Sequence, residues 1–96
     1  MDELQSLLGT YIAALERGRT TASPKERVDY DQRLAAAAAI GAALQRRDAK
    51  ELKRLVDQEE RAAGWGFLVG KDGAAAEAAL TQFVYRARMS GATFAA

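Results

Sequence analysis

Two carboxylates, Glu26 and Asp29, come nearest to a catalytic pair in this sequence. Three residues apart on a helix, they share a face, whereas Asp29 and Asp31 are two apart and do not. A lone carboxylate pair is far short of a metal cage or an acid/base site. The chain contains no histidine and no cysteine, so its serines have no imidazole base and thiolate metal sites are excluded. We therefore expect no enzyme, no cofactor and no metal.

The segment 64–73, GWGFLVGKDG, contains part of a phosphate-loop pattern. That pattern needs glycine where Trp65 stands and serine or threonine where Asp72 stands, and no strand precedes it, so we reject it. Two interpretations remain. Trp65 and Phe67 are residue types that dominate interface energies. Alternatively, Trp65, Phe67 and Leu68 close one end of an alanine-rich core, which burial would stabilise by roughly 1.5–3 kcal/mol each; we favour this second interpretation.

The charges of the predicted third helix oppose its dipole. Basic residues crowd its N-terminal end and acidic residues its C-terminal end: Lys50, Lys53 and Arg54, then Asp57, Glu59 and Glu60. Each such placement costs about 0.3–1 kcal/mol at low salt, and the pairs Lys53–Asp57 and Asp57–Arg61 are expected to offset part of this. Such a surface either recognises a partner of complementary charge or is a solvated face of little consequence.

A basic cluster at the junction of the second and third helices raises nucleic-acid binding as a further alternative. It comprises Arg46, Arg47, Lys50, Lys53 and Arg54. Acidic residues alternate with these bases, no aromatic residue is interleaved for base stacking, and the formal net charge of the chain is only +1. These features lack the usual electrostatic footprint of a nucleic-acid module.

The length and hydropathy of the chain indicate the kind of domain that contains these residues. The chain has 96 residues, of which 49% are hydrophobic, which suits one helical domain over 1–96 near the lower limit for a core without staples. No secretory signal pattern and no run near 18 apolar residues is present, so we expect a cytoplasmic protein and no membrane association.

Apolar periodicity and capping residues predict four helices, over about 2–17, 24–47, 49–63 and 73–89. Gly18 is expected to end the first helix. Ser23 with Glu26, and Asp48 with Glu51, form capping boxes for the second and third. Asp72 is expected to cap the fourth. The predicted fold class is all-α, a compact four-helix bundle with a long central second helix.

The alanine-rich run 34–44 is the centre of that second helix, and it contains no polar side chain. On a helical wheel its larger side chains lie on one face with Tyr30, and its small ones on the other with Val28. The small face contains Ala35, Ala39 and Ala42. If these three alanines are exposed, the sequence predicts a homodimer through them; if they are buried, it predicts a monomer.

By elimination, the sequence predicts a small, bacterial-looking, non-enzymatic protein that binds another protein, of an inhibitor or immunity type. Homo-oligomerisation through the alanine face and nucleic-acid binding are the alternatives. The candidate partner-binding residues are Arg46, Arg47, Lys50, Lys53, Arg54, Asp57, Glu60, Trp65 and Phe67.

Overall fold

The computed structural model describes residues 2–63, 68 and 70–89, and for residues 2 and 63 it describes the backbone only. Four α-helices account for nearly all of them: α1 (Asp2–Thr21), α2 (Pro24–Arg46), α3 (Ala49–Ala63) and α4 (Gly70–Met89). No strand occurs in the described residues. The predicted all-α four-helix bundle is confirmed.

The helices pack in a ring in which each contacts its neighbours along the chain and α4 closes against α1. Ion pairs between Arg19 and Asp31 and between Arg17 and Asp72 show that α1 is antiparallel to both α2 and α4. The largest fully buried side chains are Tyr11, Leu15, Ile40, Leu44 and Phe83. The closest packing is between α1 and α4, and the sparsest is between α3 and α4, so the ring is least tightly closed at the α3–α4 junction.

The two predicted N-caps begin their helices, but in neither does the glutamate carboxylate accept from the backbone N–H of the cap residue, as a capping box requires. Ser23 Oγ accepts a hydrogen bond from the Glu26 N–H at 3.3 Å and donates to the Glu26 carboxylate at 2.8 Å. Asp48 Oδ1 accepts from the Glu51 N–H at 3.1 Å. The Glu51 carboxylate instead binds Arg54 at 2.6 and 3.0 Å, because a guanidinium three residues along the helix competes for it. Both expected capping boxes are therefore corrected to single N-caps.

Helix α1 extends four residues beyond the predicted end, to Thr21. Gly18 does not terminate it; this glycine is buried inside the helix, and the ring of Tyr30 lies where a Cβ would stand. The residue is small because α2 approaches closely there. The hydroxyls of Thr20 and Thr21 bond back to the Arg17 and Gly18 carbonyls at 2.6 and 3.3 Å, which satisfies acceptors of the last turn.

Helix α4 begins at Gly70, three residues earlier than predicted. Asp72 is therefore not the cap; it lies in the first turn, 3.6 Å from Arg17 Nε. At Gly73 a Cβ would stand 2.9 Å from the Leu68 carbonyl carbon, so glycine permits the chain entering α4 to lie against the helix. Leu68 is buried in the core; Trp65 and Phe67, the other members of the expected plug, lie outside the described residues.

Helix α2 ends at Arg46, one residue before the predicted boundary, with Arg47 in the left-handed conformation at φ 54°. Its larger side chains face the core as expected, with Tyr30, Ile40 and Leu44 fully covered. The opposite face contains Ala35 and Ala39, which are exposed, and Ala42, which is half-buried. Val28, at 55% exposure, extends that face. The condition that the sequence set for a homodimer, exposure of the alanine face, is met at two of its three residues.

Candidate functional site

The sparse contact between α3 and α4 leaves a cavity of about 720 Å³ at the junction. We call it the α3–α4 cleft. Its floor is apolar, formed by the buried residues Leu52, Val56 and Ala87. Its rim is charged, and consists of Lys50, Lys53, Asp57, Glu60, Arg61 and Arg88. An apolar floor with polar groups around it is the general form of a binding site, and the volume lies in the roughly 300–1,000 Å³ range of ligand pockets.

One side chain of α4, Arg88, spans the cleft and binds both acidic residues of the rim. Its guanidinium makes two hydrogen bonds to the Glu60 carboxylate, at 2.6 and 2.9 Å, and one to Asp57 Oδ1 at 3.1 Å. Lys53 Nζ takes the other Asp57 oxygen at 3.1 Å. Hydrogen bonds from Lys53 and Arg88 lower the pKa of Asp57, and that from Arg88 lowers the pKa of Glu60. Both acids are thus held ionised and paired.

A second cavity, of about 580 Å³, adjoins the first and shares Glu60 and Arg88 with it. It is lined from α4 by Leu80, Val84 and two large apolar side chains, Tyr85 and Met89. Tyr85 is 59% exposed and Met89 67%. Among the large apolar side chains that the structure describes, only Val28 is comparably exposed, so two of the three lie at this junction.

A smaller share of the basic than of the acidic side chains near the cleft forms hydrogen bonds or ion pairs. In the described part of the chain, Arg46, Arg47, Lys50 and Arg61 have no hydrogen bond or ion pair from their side chains. The expected pair Asp57–Arg61 does not form, because Lys53 and Arg88 occupy both Asp57 oxygens. On the two-signed surface of α3, Asp57 and Glu60 are therefore paired within the protein. Of its three basic residues, Lys53 and Arg54 are paired as well, and within the described part of the chain only Lys50 is open.

The structure brings together part of the predicted partner-binding set. Lys50, Lys53, Asp57 and Glu60 line the α3–α4 cleft. Arg46 and Arg47 are exposed at the turn that leads into α3. Arg54 is outside the cleft lining, where its guanidinium binds Glu51 and Gln58 of its own helix. Trp65 and Phe67 lie outside the described residues.

Sequence reasoning missed Tyr85, Met89 and Arg88 as site residues. Tyr85 and Met89 stand four residues apart, beside the apolar stripe that runs through Leu80, Val84 and Ala87. Large apolar residues displaced from the buried stripe of a helix are a sequence signal for exposed apolar surface. The interaction of Arg88 with Glu60 joins residues 28 apart and has no such signal.

A buried ion pair lies inside the bundle, and it corrects the placement of Glu59 on the two-signed surface of α3. Arg33 of α2 and Glu59 of α3 are 7% and 2% exposed, with Arg33 Nη1 2.5 Å from Glu59 Oε1. Both occupy positions on otherwise apolar stripes: Arg33 between Tyr30 and Ala37, Glu59 three residues after Val56. The helical period predicts that residues at these spacings are buried. A charged residue on a predicted buried stripe is therefore the sequence signal for a buried ion pair.

The buried pair is incompletely satisfied. Four buried polar atoms, one from each helix, have no hydrogen-bond partner in the described residues: Tyr11 Oη, Arg33 Nη2, Glu59 Oε2 and Glu77 Oε1. Burial raises the pKa of Glu59, and the hydrogen bond and positive charge of Arg33 offset only part of that rise. Burial, and then the charge of Glu59, raise the pKa of the Tyr11 phenol. The cluster is a polar centre of the core, and two of its members, Arg33 and Glu59, also line a cavity of about 510 Å³ between α2 and α3.

In the described residues no three histidine, cysteine, aspartate or glutamate side chains are grouped for metal binding. None of the helices described is both long enough and apolar enough to cross a bilayer. Comparison of the chain with protein families, curated proteins and solved structures finds no match.

Proposed function

We propose that this protein is a small, non-enzymatic helical module that binds another protein through the α3–α4 cleft. One observation carries the proposal: the least tightly packed junction of the bundle combines two adjoining cavities with the exposed side chains of Tyr85 and Met89. Tyrosine and methionine are enriched at protein interfaces. Exposed apolar surface surrounded by polar groups is characteristic of interaction sites.

The charged rim supports recognition rather than catalysis. Charges around an apolar centre steer a partner and exclude wrong ones, whereas the rim contains no histidine or cysteine and its carboxylates are already bound by cations. An inhibitor or immunity type of role in the cytoplasm fits the size of the chain and its lack of cysteine. This role stays a proposal about class.

The test compares the cleft and its apolar edge on α4 with the face of α3 that lies outside the cleft. Affinity capture from the native host is carried out with the wild-type protein, with Lys50→Glu/Lys53→Glu, with Tyr85→Ala and with Arg54→Glu. We expect one protein to be retained by the wild type and by Arg54→Glu and to be weakened at least tenfold by the first two variants, because only they alter the cleft or its apolar edge. Circular dichroism confirms that each variant is folded.

Equal loss of binding in Arg54→Glu would move the interface to the other face of α3. Equal retention in all variants would remove the α3–α4 junction from the proposal. Either outcome leaves the fold unaffected, since all four altered side chains are exposed.

A second candidate function, homo-oligomerisation through α2, is favoured by the exposure of Ala35, Ala39 and Val28. Small side chains allow two copies of a helix to approach closely, and a two-fold axis would place the same face of each copy in contact. Light scattering at roughly micromolar to 100 μM concentration measures the mass. A dimer that Ala39→Glu converts to a monomer is the expected result; a strict monomer at all concentrations rules this candidate out.

A further inference from the structure

We propose that the occupant of the α3–α4 cleft is a single amphipathic helix with an apolar ridge flanked by acidic residues. This inference rests on the proposed function and names the chemistry of its partner. Three features of the cleft support it: its length, the buried state of its floor and the imbalance of charge on its rim.

The cleft has the length that a short helical ridge fills. Its lining on α3 runs from Ala49 to Arg61, which is about 18 Å along the helix axis. A partner helix with apolar residues at i, i+4, i+7 and i+11 presents a ridge ~16 Å long. Insertion of one amphipathic helix into a groove between two helices is a recurrent mode of peptide recognition.

The floor residues of the cleft are already buried, so most of the apolar surface in a complex would have to come from the partner. Leu52 and Val56 are each buried within the bundle although they line the cavity. The apolar surface still open at the junction is that of Tyr85 and Met89. A ridge of large side chains from the partner would fill the cavities and cover both, and burial of such side chains is the main favourable contribution to association.

The charge on the rim selects acidic flanks. Lys50 and Arg61 stand at opposite ends of the α3 lining, and neither has a partner in the described residues. The two acids between them, Asp57 and Glu60, are both bound by Arg88. A partner helix with carboxylates near each end of its ridge would meet both open cations, whereas a basic helix would meet cations at both ends and would have to displace Arg88 from the acids.

The same arrangement disfavours a nucleic acid as the occupant. A phosphate backbone needs a continuous series of cations, but Asp57 and Glu60 interrupt the rim at its middle. A nucleic acid also has no apolar ridge to place over Tyr85 and Met89. Duplex DNA therefore serves as a competing probe in the test.

The experiment uses three peptides of about 16 residues, ~24 Å long as helices, and the full protein. The first has leucines along one ridge and glutamates on both flanks. The second replaces every glutamate with lysine. The third has the composition of the first in a shuffled order that removes the ridge. Binding is measured by fluorescence anisotropy, and the contact surface is mapped by backbone amide shifts in nuclear magnetic resonance spectra.

We expect the acidic peptide to bind roughly tenfold more tightly than the basic one, on the order of threefold for each new surface ion pair. The shuffled peptide should bind at least tenfold more weakly than the ordered acidic one. Raising the salt to about 0.5 M should reduce the difference between acidic and basic peptides, because exposed charges are then screened. The largest amide shifts should fall in Ala49–Arg61 and around Ala87.

Two protein variants of equal net charge test the assignment of the cations. Lys50→Glu/Arg61→Glu alters both open cations of the cleft, and we expect it to abolish the preference for the acidic peptide. Lys25→Glu/Arg27→Glu alters two exposed cations in the first turn of α2, outside the cleft lining, and we expect it to retain that preference. If net charge alone set the preference for the acidic peptide, both variants would lose it to the same extent.

Four results would overturn the inference: equal affinity for acidic and basic peptides, no binding by either, amide shifts outside the cleft, or duplex DNA bound more tightly than the acidic peptide. If both peptides bind in the cleft with equal affinity, the preference for an acidic partner is wrong, but the proposed function is not contradicted. The proposed function fails separately, when the captured host protein is unaffected by Lys50→Glu/Lys53→Glu and by Tyr85→Ala.

Discussion

Helix α3 takes part in two interhelical ion-pair groups that differ in nearly every physical respect. On its inner face Glu59 meets Arg33 of α2 with both side chains almost fully buried. On its outer face Asp57 and Glu60 meet Arg88 of α4, with the three side chains between 29% and 51% exposed. Both groups join α3 to a neighbouring helix, and their carboxylates are no more than three residues apart in the sequence.

The difference shows how environment decides what an ion pair does. The outer carboxylates have lowered pKa values because cations stabilise their charged forms in water-exposed surroundings. The inner carboxylate has a raised pKa because burial penalises its charge more than Arg33 compensates. The outer group is thus a weak contact at the edge of a cleft, and the inner group holds two charges where an apolar pair would suffice.

The largest expected effect comes from breaking the inner pair on one side. Glu59→Leu leaves the Arg33 guanidinium buried without a counter-charge, and loss of one partner of a buried pair typically destabilises by about 3–5 kcal/mol. Urea unfolding followed by circular dichroism measures the change. A loss below about 1 kcal/mol would mean that Arg33 reaches water once Glu59 is removed.

Replacing both members should reverse that loss. Arg33→Met/Glu59→Leu removes two desolvated charges and the unsatisfied Arg33 Nη2 and Glu59 Oε2 atoms. Such replacements by apolar residues of similar volume are neutral or stabilising by about 1–4 kcal/mol. The same unfolding measurement checks it. A double variant as unstable as Glu59→Leu would show instead that the pair contributes net stability and that the apolar side chains do not pack.

Arg88→Ala, at the outer group, should have a small effect on stability. Exposed ion pairs contribute about 0–1 kcal/mol, and the guanidinium of Arg88 is half-exposed where it binds Glu60. Its effect on binding should differ, because two carboxylates of the cleft become unpaired and repel an acidic partner. The acidic peptide should therefore bind more weakly although the unfolding midpoint hardly moves. A large loss of stability would make Arg88 part of the structural core.

The smallest expected effect is on how the free energy of unfolding changes with pH. The two ion-pair groups should contribute slopes of opposite sign. The lowered pKa values of Asp57 and Glu60 contribute stability that is present above their unfolded-state pKa, near 4, and is lost as the pH falls further. The raised pKa of Glu59 contributes stability that is complete below that pH and is lost as the pH rises through its folded-state value.

Unfolding free energies from roughly pH 2.5 to 7 separate the two slopes. Arg88→Ala should reduce the slope of the acidic limb without removing it, because Lys53 still lowers the pKa of Asp57 and Arg54 that of Glu51. Arg33→Met/Glu59→Leu should flatten only the limb above about pH 4. An unchanged upper limb in the double variant would assign that slope to another group.

Local sequence signals determined the four helices of this protein and most of their starts. Ser23 and Asp48 cap α2 and α3 where they were expected to, and the stripe of Tyr30, Ile40 and Leu44 faces the core. Two boundaries were predicted wrongly, for different reasons. Gly18 was expected to end α1, but glycine marks close approaches as well as helix ends, and only the position of Tyr30 distinguishes the two. Asp72 was expected to cap α4, but an acidic residue also suits the first turn of a helix, where it lies.

The candidate site was predictable only in part. The charges of α3 pointed to this helix, because charges that oppose a dipole are visible in the sequence. Which of them remain open was decided by the fold: Arg88 reaches Asp57 and Glu60 from 31 and 28 residues away, and Arg33 meets Glu59 across 26.

Helical periodicity and capping act over a few residues, so the sequence by itself determined the elements and the faces they bury. The order of the ring, the sparse α3–α4 junction with its two cavities and the pairing of distant charges depend on how four helices pack at once. The tertiary structure alone decided these features, because packing couples residues that no local pattern connects.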